Sequence, residues 1–184
     1  MIDDYIEEAT TKMKHSISHL QKEMGKLRTG QASTALIEDL KVDYYGNPTP
    51  IAQVGTLGVP DSQTITIQPW DAAVLKDIEK SIQASDLGLT PNNDGKLIRL
   101  VIPPLTGERR QQLVKILKKM VEEGKVAARN VRRDYNDKIK GLEKESYSKD
   151  DCKKGQDKLQ EKTDKIIAEM EKIGAAKEKD ILDN

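Results

Sequence analysis

The sequence predicts an α+β protein: a long antiparallel three-helix bundle, interrupted once by a small inserted β/α/β domain. Three observations predict it. Apolar residues recur every three or four positions over long stretches at both ends of the chain, the pattern of a helix with one buried stripe. Between Gly30 and Pro104 that pattern gives way to short β-branched runs separated by turn formers. Composition is the third. Only 3% of residues are aromatic and none is Phe, while 36% are hydrophobic, which suits a narrow Leu/Ile/Met/Ala seam between helices better than a broad core.

Residues 2–28 carry the first helix, with Ile2, Tyr5, Ile6, Ala9, Met13, Ile17, Leu20, Met24 and Leu27 on its stripe. Acids fill its first turns (Asp3, Asp4, Glu7, Glu8) and cations its last (Lys22, Lys26, Arg28), both in favour of the helix dipole. Gly30 reads as its stop. The runs Ile37–Tyr45, Thr64–Pro69 and Leu97–Ile102 read as strands, with turns at Gly46-Asn47-Pro48 and Pro60-Asp61-Ser62. A short helix fits Ala72–Gln83, capped by Asp71, and Asp86–Gly95 reads as a polar loop. Helix resumes at Thr106 and runs to about Glu145. Ser148 caps a last helix with Leu159, Ile166, Met170 and Ile173 on its stripe. No single helix can hide its apolar edge alone, so residues 1–30 and 105–184 form one bundle and residues 31–104 an insert. The two connectors must then lie close together: Arg28, Thr29, Gly30, Gln31, Ala32 and Ser33 leading in, and Pro103, Pro104, Leu105, Thr106 and Gly107 leading out. Short and Gly/Pro-bearing, they read as a hinge.

The most informative stretch is Thr106–Tyr135. Its apolar stripe is Leu113, Ile116, Leu117, Met120, Ala127 and Val131, continued by Ile139 and Leu142. At 100° per residue, Arg110, Lys118, Lys125, Arg129 and Arg132 share a sector beside it, and Arg133 extends the run of arginines. Arg110 and Arg132 lie about 33 Å apart along such a helix. Net charge over the whole chain is zero, yet residues 105–135 hold nine Lys/Arg against four Asp/Glu, and residues 31–104 hold five against nine. Attraction to a polyanion must therefore come from placement, not from bulk charge. Few acids interrupt the sector, which predicts that pairs within the helix leave it basic. Arginine's planar fork suits phosphate, so the expected partner is anionic.

Other chemistry is excluded by what is missing. Gly88 to Gly95-Lys96 has the wrong spacing for a phosphate loop and is followed by Leu97. His15 and His19 are four apart, but HSISH lacks the glutamate of a zinc-protease helix and no third ligand follows, so no metal is expected. Cys152 is the single cysteine, which forbids an internal disulfide and suits a reducing compartment. No cleft gathers carboxylates for acid–base work, so no catalytic residue and no cofactor are assigned. Trp70, Tyr44 and Tyr45 are read as core or rim aromatics of the insert in preference to base-stacking platforms. Nothing pairs a recognition helix with a short turn, so DNA reading is not expected. No apolar run approaches a membrane span, and the acidic opening MIDDYIEEAT lacks the order of a leader peptide, so a cytoplasmic protein is expected.

Five motifs carry a family resemblance. They are Leu27-Arg28-Thr29-Gly30 with Ala32-Ser33, then Tyr44-Tyr45-Gly46 followed by Pro48-Thr49-Pro50, and Ala84-Ser85-Asp86-Leu87-Gly88-Leu89. Two more follow: Pro103-Pro104-Leu105-Thr106 with Glu108-Arg109-Arg110, and Val126-Ala127 with Arg129-Asn130-Val131-Arg132-Arg133-Asp134. In order and spacing these resemble ribosome recycling factor over nearly the full chain. The resemblance implies an L-shaped molecule whose bundle lies on the large ribosomal subunit and touches its rRNA. It implies elongation factor G as second partner, GTP hydrolysis by that factor, and separation of the post-termination ribosome into subunits with no bond chemistry by the chain itself. It also implies Arg129, Arg132 and Arg110 as RNA contacts and the two connectors as the interdomain hinge. Two positions depart from the family pattern: Gln31 stands in place of an arginine, and Gly107 in place of a glutamate that opens the long helix. The competing reading from the residues alone is a helical protein–protein scaffold or chaperone-like bundle. A scaffold seam would continue into an oligomer, whereas the translation factor is expected to be a monomer.

Overall fold

The computed structural model describes residues 1–27 and 29–183, so Arg28 of the inbound connector lies outside the described residues. Helix α1 spans Ile2–Gly25 and buries Ile6, Ala9, Met13, Ile17, Leu20 and Met24, the expected stripe. Helix α3 spans Gly107–Gly141. Thr106 caps it, its hydroxyl accepting from the Arg109 N–H at 3.2 Å and its carbonyl from the Arg110 N–H at 3.0 Å. A 3₁₀ turn, Leu142–Glu145, and a left-handed Ser146 then reverse the chain into α4, Lys149–Leu182. Ser148 caps α4 by accepting from the Asp151 N–H at 3.0 Å, with Asp150 and Asp151 in its first turn.

The stripe of α3 differs from the expected one at three places. Ile116 is 40% exposed, and Ala128 is fully buried while Ala127 is only half-buried. Tyr135, which the expected stripe omits, is buried as well. A straight helix drifts against any fixed apolar register, so the buried line runs Leu117, Ala128, Tyr135, Ile139. Helices approach closely where a side chain is absent: a Cβ on Gly155 would stand 2.5 Å from Ile2 Cγ2, and one on Gly174 would stand 2.7 Å from Val121 Cγ2.

Within the insert, strands β1 (Lys41–Tyr44) and β2 (Asn47–Pro50) form a hairpin that turns at Tyr45-Gly46, both at positive φ. A four-stranded antiparallel sheet has the order β3-β4-β6-β5, from Gly55–Asp61, Thr64–Pro69, Ile98–Val101 and Pro91–Asn93 respectively. Asp71 accepts from the Ala73 N–H at 2.9 Å and starts a 3₁₀ turn that leads into α2, Leu75–Ala84. Ile65, Ile67, Ile78, Ile82, Ile98 and Leu100 are fully enclosed between α2 and the sheet. Three strands escape the sequence reading. β2 begins at Asn47, inside the turn expected at Gly46-Asn47-Pro48. β3 is broken by Gly55, Gly58 and Pro60, and β5 lies within the loop expected at Asp86–Gly95. Conversely, a strand from Ile37 was expected, but residues 37–39 form a turn that continues the 3₁₀ turn Thr34–Leu36, and β1 begins only at Lys41.

Two compact units emerge from the contacts, Met1–Met24 with Val114–Asp180, and Gly25–Leu113 with Ile181–Asn184. No helix among the described residues is long and apolar enough to cross a membrane.

Candidate functional site

The basic edge of α3 separates into two kinds of cation once the neighbouring helix is present. Lys125 is seated: its side chain is only 16% exposed, and its ammonium lies 2.6 Å from Glu171 of α4 and 3.7 Å from Glu122. That hydrogen bond to Glu171 raises Lys125 above its ordinary pKa, and holds the Glu171 carboxyl below the usual carboxylate range. Arg110 is also engaged. It is half-buried and donates through Nη1 to the Leu182 carbonyl at 2.9 Å, placing a cation on the last turn of α4, where the dipole favours one. Its Nε is buried without a hydrogen-bond partner among the described residues.

The remaining cations are more open. Lys118 is 3.6 Å from Glu178 in a loose, mostly exposed pair. Arg129 is 3.2 Å from Glu122, both side chains about half exposed. Arg132 donates to the neutral side-chain oxygen of Gln160 at 2.9 Å, so its charge is uncompensated there. Arg133 is exposed and has no ion pair among the described residues. Exposed pairs of this kind contribute little, on the order of 0–1 kcal/mol, and a phosphate can compete for them. The sector expected to stay basic is therefore partly neutralised, by Glu122 from within and by Glu171 and Glu178 from α4. A wheel drawn for one helix cannot show acids contributed by another.

On the opposite side of α3, toward α1, cations meet aromatic rings. Tyr135 is buried, donates to Glu8 at 3.1 Å, and lies under the ammonium groups of Lys138 (4.2 Å from the ring centroid) and Lys12 (5.1 Å). His15 and His19 are exposed on a groove of about 550 Å³ with Met120, Gly124 and Ala127. The described residues hold no cluster of three metal-ligating side chains. Cys152 is fully buried, and burial pushes its thiol up, away from the thiolate form that attacks or ligates.

The connectors meet each other. Gly30 has φ +77°, and a Cβ there would stand 3.1 Å from Leu105 Cγ. Thr29 is buried, Ala32 N–H donates to Ser62 O at 2.7 Å, and Ser33 caps the 3₁₀ turn that follows. Pro103 and Pro104 are exposed, and Leu105 is half-buried. Gln31 is exposed, and Gly107 has no atom near its Cβ position.

The aromatics of the insert are not in its core. Trp70 is 70% exposed, Tyr45 68% and Tyr44 37%. Their sequence held a signal: Tyr44-Tyr45 are adjacent and run into a Gly turn, so both rings cannot face inward, and Trp70 directly follows the last strand residue.

Comparison with known proteins matches the family model "Ribosome recycling factor" to residues 20–182. The chain is 52% identical over 183 residues to a ribosome-recycling factor of Oleidesulfovibrio alaskensis, covering 99% of this chain and all of the relative. It is 50% identical over 184 residues to that of Desulfatibacillum aliphaticivorans, covering both completely. A solution structure of a ribosome recycling factor superposes with TM-score 0.79 at 44% identity, covering all of this chain and 98% of that one. A T. thermophilus recycling factor, described with E. coli elongation factor G on the E. coli post-termination complex, superposes with TM-score 0.70 at 42% identity over 99% of each chain.

Proposed function

Because this chain belongs to the ribosome recycling factor family, and so is a translation factor and not an enzyme, we propose that it parts the subunits of the post-termination ribosome together with elongation factor G and GTP hydrolysis. The full-length match carries this reading, since relatives of equal length are recycling factors and one is described with both partners. The bundle (1–30 and 105–184) lies on large-subunit rRNA, and the insert (31–104) takes the push of the GTPase. The place of action is the cytoplasm, and the chain acts as a monomer.

The geometry of α3 supports a division of labour among its cations. Arg129, Arg132 and Arg133 form the phosphate-contacting set, being arginines in consecutive turns with weak or neutral partners. Lys118 joins them at the periphery. Lys125 and Arg110 orient the helices that present this set, because their partners are α4 groups. Phosphate contacts anchor and orient without reading sequence, which suits a factor that must act after any messenger. The insert swings about the connectors while the bundle stays seated. A disulfide engineered between insert and bundle tests this: recycling by purified ribosomes with elongation factor G should stop when it is oxidised and return on reduction. Full recycling with the disulfide closed contradicts the swing.

A further inference from the structure

We infer that the exposed aromatic corner formed by Tyr44, Tyr45 and Trp70 around Asp71 is a docking surface for a cationic protein segment, one that presents arginine or lysine. Three rings stand in solvent in a chain whose aromatic content is only 3%. Two of the three polar tips are already satisfied. The Tyr45 hydroxyl donates to the Asp71 carboxylate, and the Trp70 indole N–H donates to Thr56 Oγ1 at 3.1 Å. What remains to offer a partner is ring surface and the Tyr44 hydroxyl. Tyr44 and Tyr45 meet edge to face with centroids 4.8 Å apart, which fixes both rings. Tyr45 also sits at φ +49°, a backbone conformation that glycine or asparagine adopts far more readily than a bulky residue. The hairpin thus presents a large ring where folding alone favours a small side chain.

Charge selects the occupant. Asp71 and Asp43 flank the rings, and Asp43 holds the turn by accepting from the Gly46 N–H at 2.7 Å. The Tyr45 hydroxyl, followed by the Ala73 N–H, keeps the Asp71 carboxyl below the usual range, and no lysine or arginine among the described residues contributes. Residues 31–104 carry five Lys/Arg against nine Asp/Glu. A phosphate backbone would be repelled from carboxylates here, so base stacking by RNA is disfavoured even though the rings are suitable for it. A guanidinium or ammonium gains twice, from the ring faces and from the carboxylates. Tryptophan, tyrosine and arginine are also the residues that dominate protein interfaces.

The inference rests on the recycling reading, and its test keeps the two separable. In Trp70→p-benzoylphenylalanine, irradiation on purified post-termination ribosomes with elongation factor G should give an adduct with a protein, at a peptide containing arginine or lysine. An adduct with rRNA, an adduct at a peptide without a cation, or no adduct overturns the proposal. Independently, Tyr45→Ala with Trp70→Ala should slow recycling about tenfold while binding to isolated 50S particles stays within about twofold. Recycling at the wild-type rate, or an equal loss of 50S binding, overturns it. Failure of the wild-type chain to split ribosomes would sink the recycling reading instead. Both side chains project from the surface, and an unchanged thermal unfolding curve verifies that the variants fold.

Discussion

The α3 edge and the Trp70 corner are both surfaces where charge gathers, and they handle it in opposite ways. On α3 the most central lysine, Lys125, is taken up by Glu171 and Glu122, and Arg110 caps a helix end, so part of the basic run is spent on the bundle itself. At the Trp70 corner the carboxylates of Asp43 and Asp71 are met by N–H and O–H donors, and no cation among the described residues forms an ion pair with them. The difference teaches that a charge count forecasts a partner only for those charges the fold leaves uncompensated. By that measure α3 offers a short arginine set, and the insert offers acidic aromatic surface.

Substitutions can break this comparison at its largest scale by testing whether the two regions stand on separate cores. Leu159→Ala in α4 and Ile78→Ala in α2 each remove a fully buried side chain and should cost about 2–5 kcal/mol. Hydrogen exchange should show protection lost mainly in the bundle for the first and mainly in the insert for the second. Equal loss everywhere would mean that a single cooperative core underlies both. Next in size is Gly155→Ala. Alanine normally favours a helix, yet a Cβ here would stand 2.5 Å from Ile2 Cγ2, so the expected result is destabilisation by about 1–3 kcal/mol, seen as a lower Tm. Tyr135→Phe keeps the ring and its cation contacts but loses the hydrogen bond to Glu8, at a cost of about 1 kcal/mol in urea unfolding.

The smallest effect depends on pH. The folded state depresses the Glu171 carboxyl through Lys125, so that pair contributes stability above the unfolded carboxylate's pKa and loses it as pH falls through the folded value. Glu171→Gln should therefore lower Tm slightly at neutral pH, and the gap to wild type should close on acidification. A gap that widens in acid would contradict the seated role of Lys125.

Long-range periodicity made the helices legible: the stripe of α1 and the caps at Thr106, Ser148 and Asp71 follow from residue type and spacing. Strand β3 was not legible because Gly55, Gly58 and Pro60 suppress the β signal. Gly55 is nonetheless required, since a Cβ there would stand 2.6 Å from the Gln68 carbonyl oxygen of the paired strand. The cations of the candidate site were visible as a run, but which of them remain open was not. That depends on Glu171, Glu178 and Gln160, some 28 to 60 residues further along the chain.

Binding to isolated 50S particles across a salt series tests the division among α3 cations most directly. With Arg129, Arg132 and Arg133 all changed to alanine, binding should weaken, and the slope of log affinity against log salt should flatten by roughly two to three, about one per lost phosphate contact. Lys125→Met, in a folded protein, should leave that slope as in wild type. Wild-type affinity and slope in the folded arginine variant, or an equal flattening by Lys125→Met, would contradict the account.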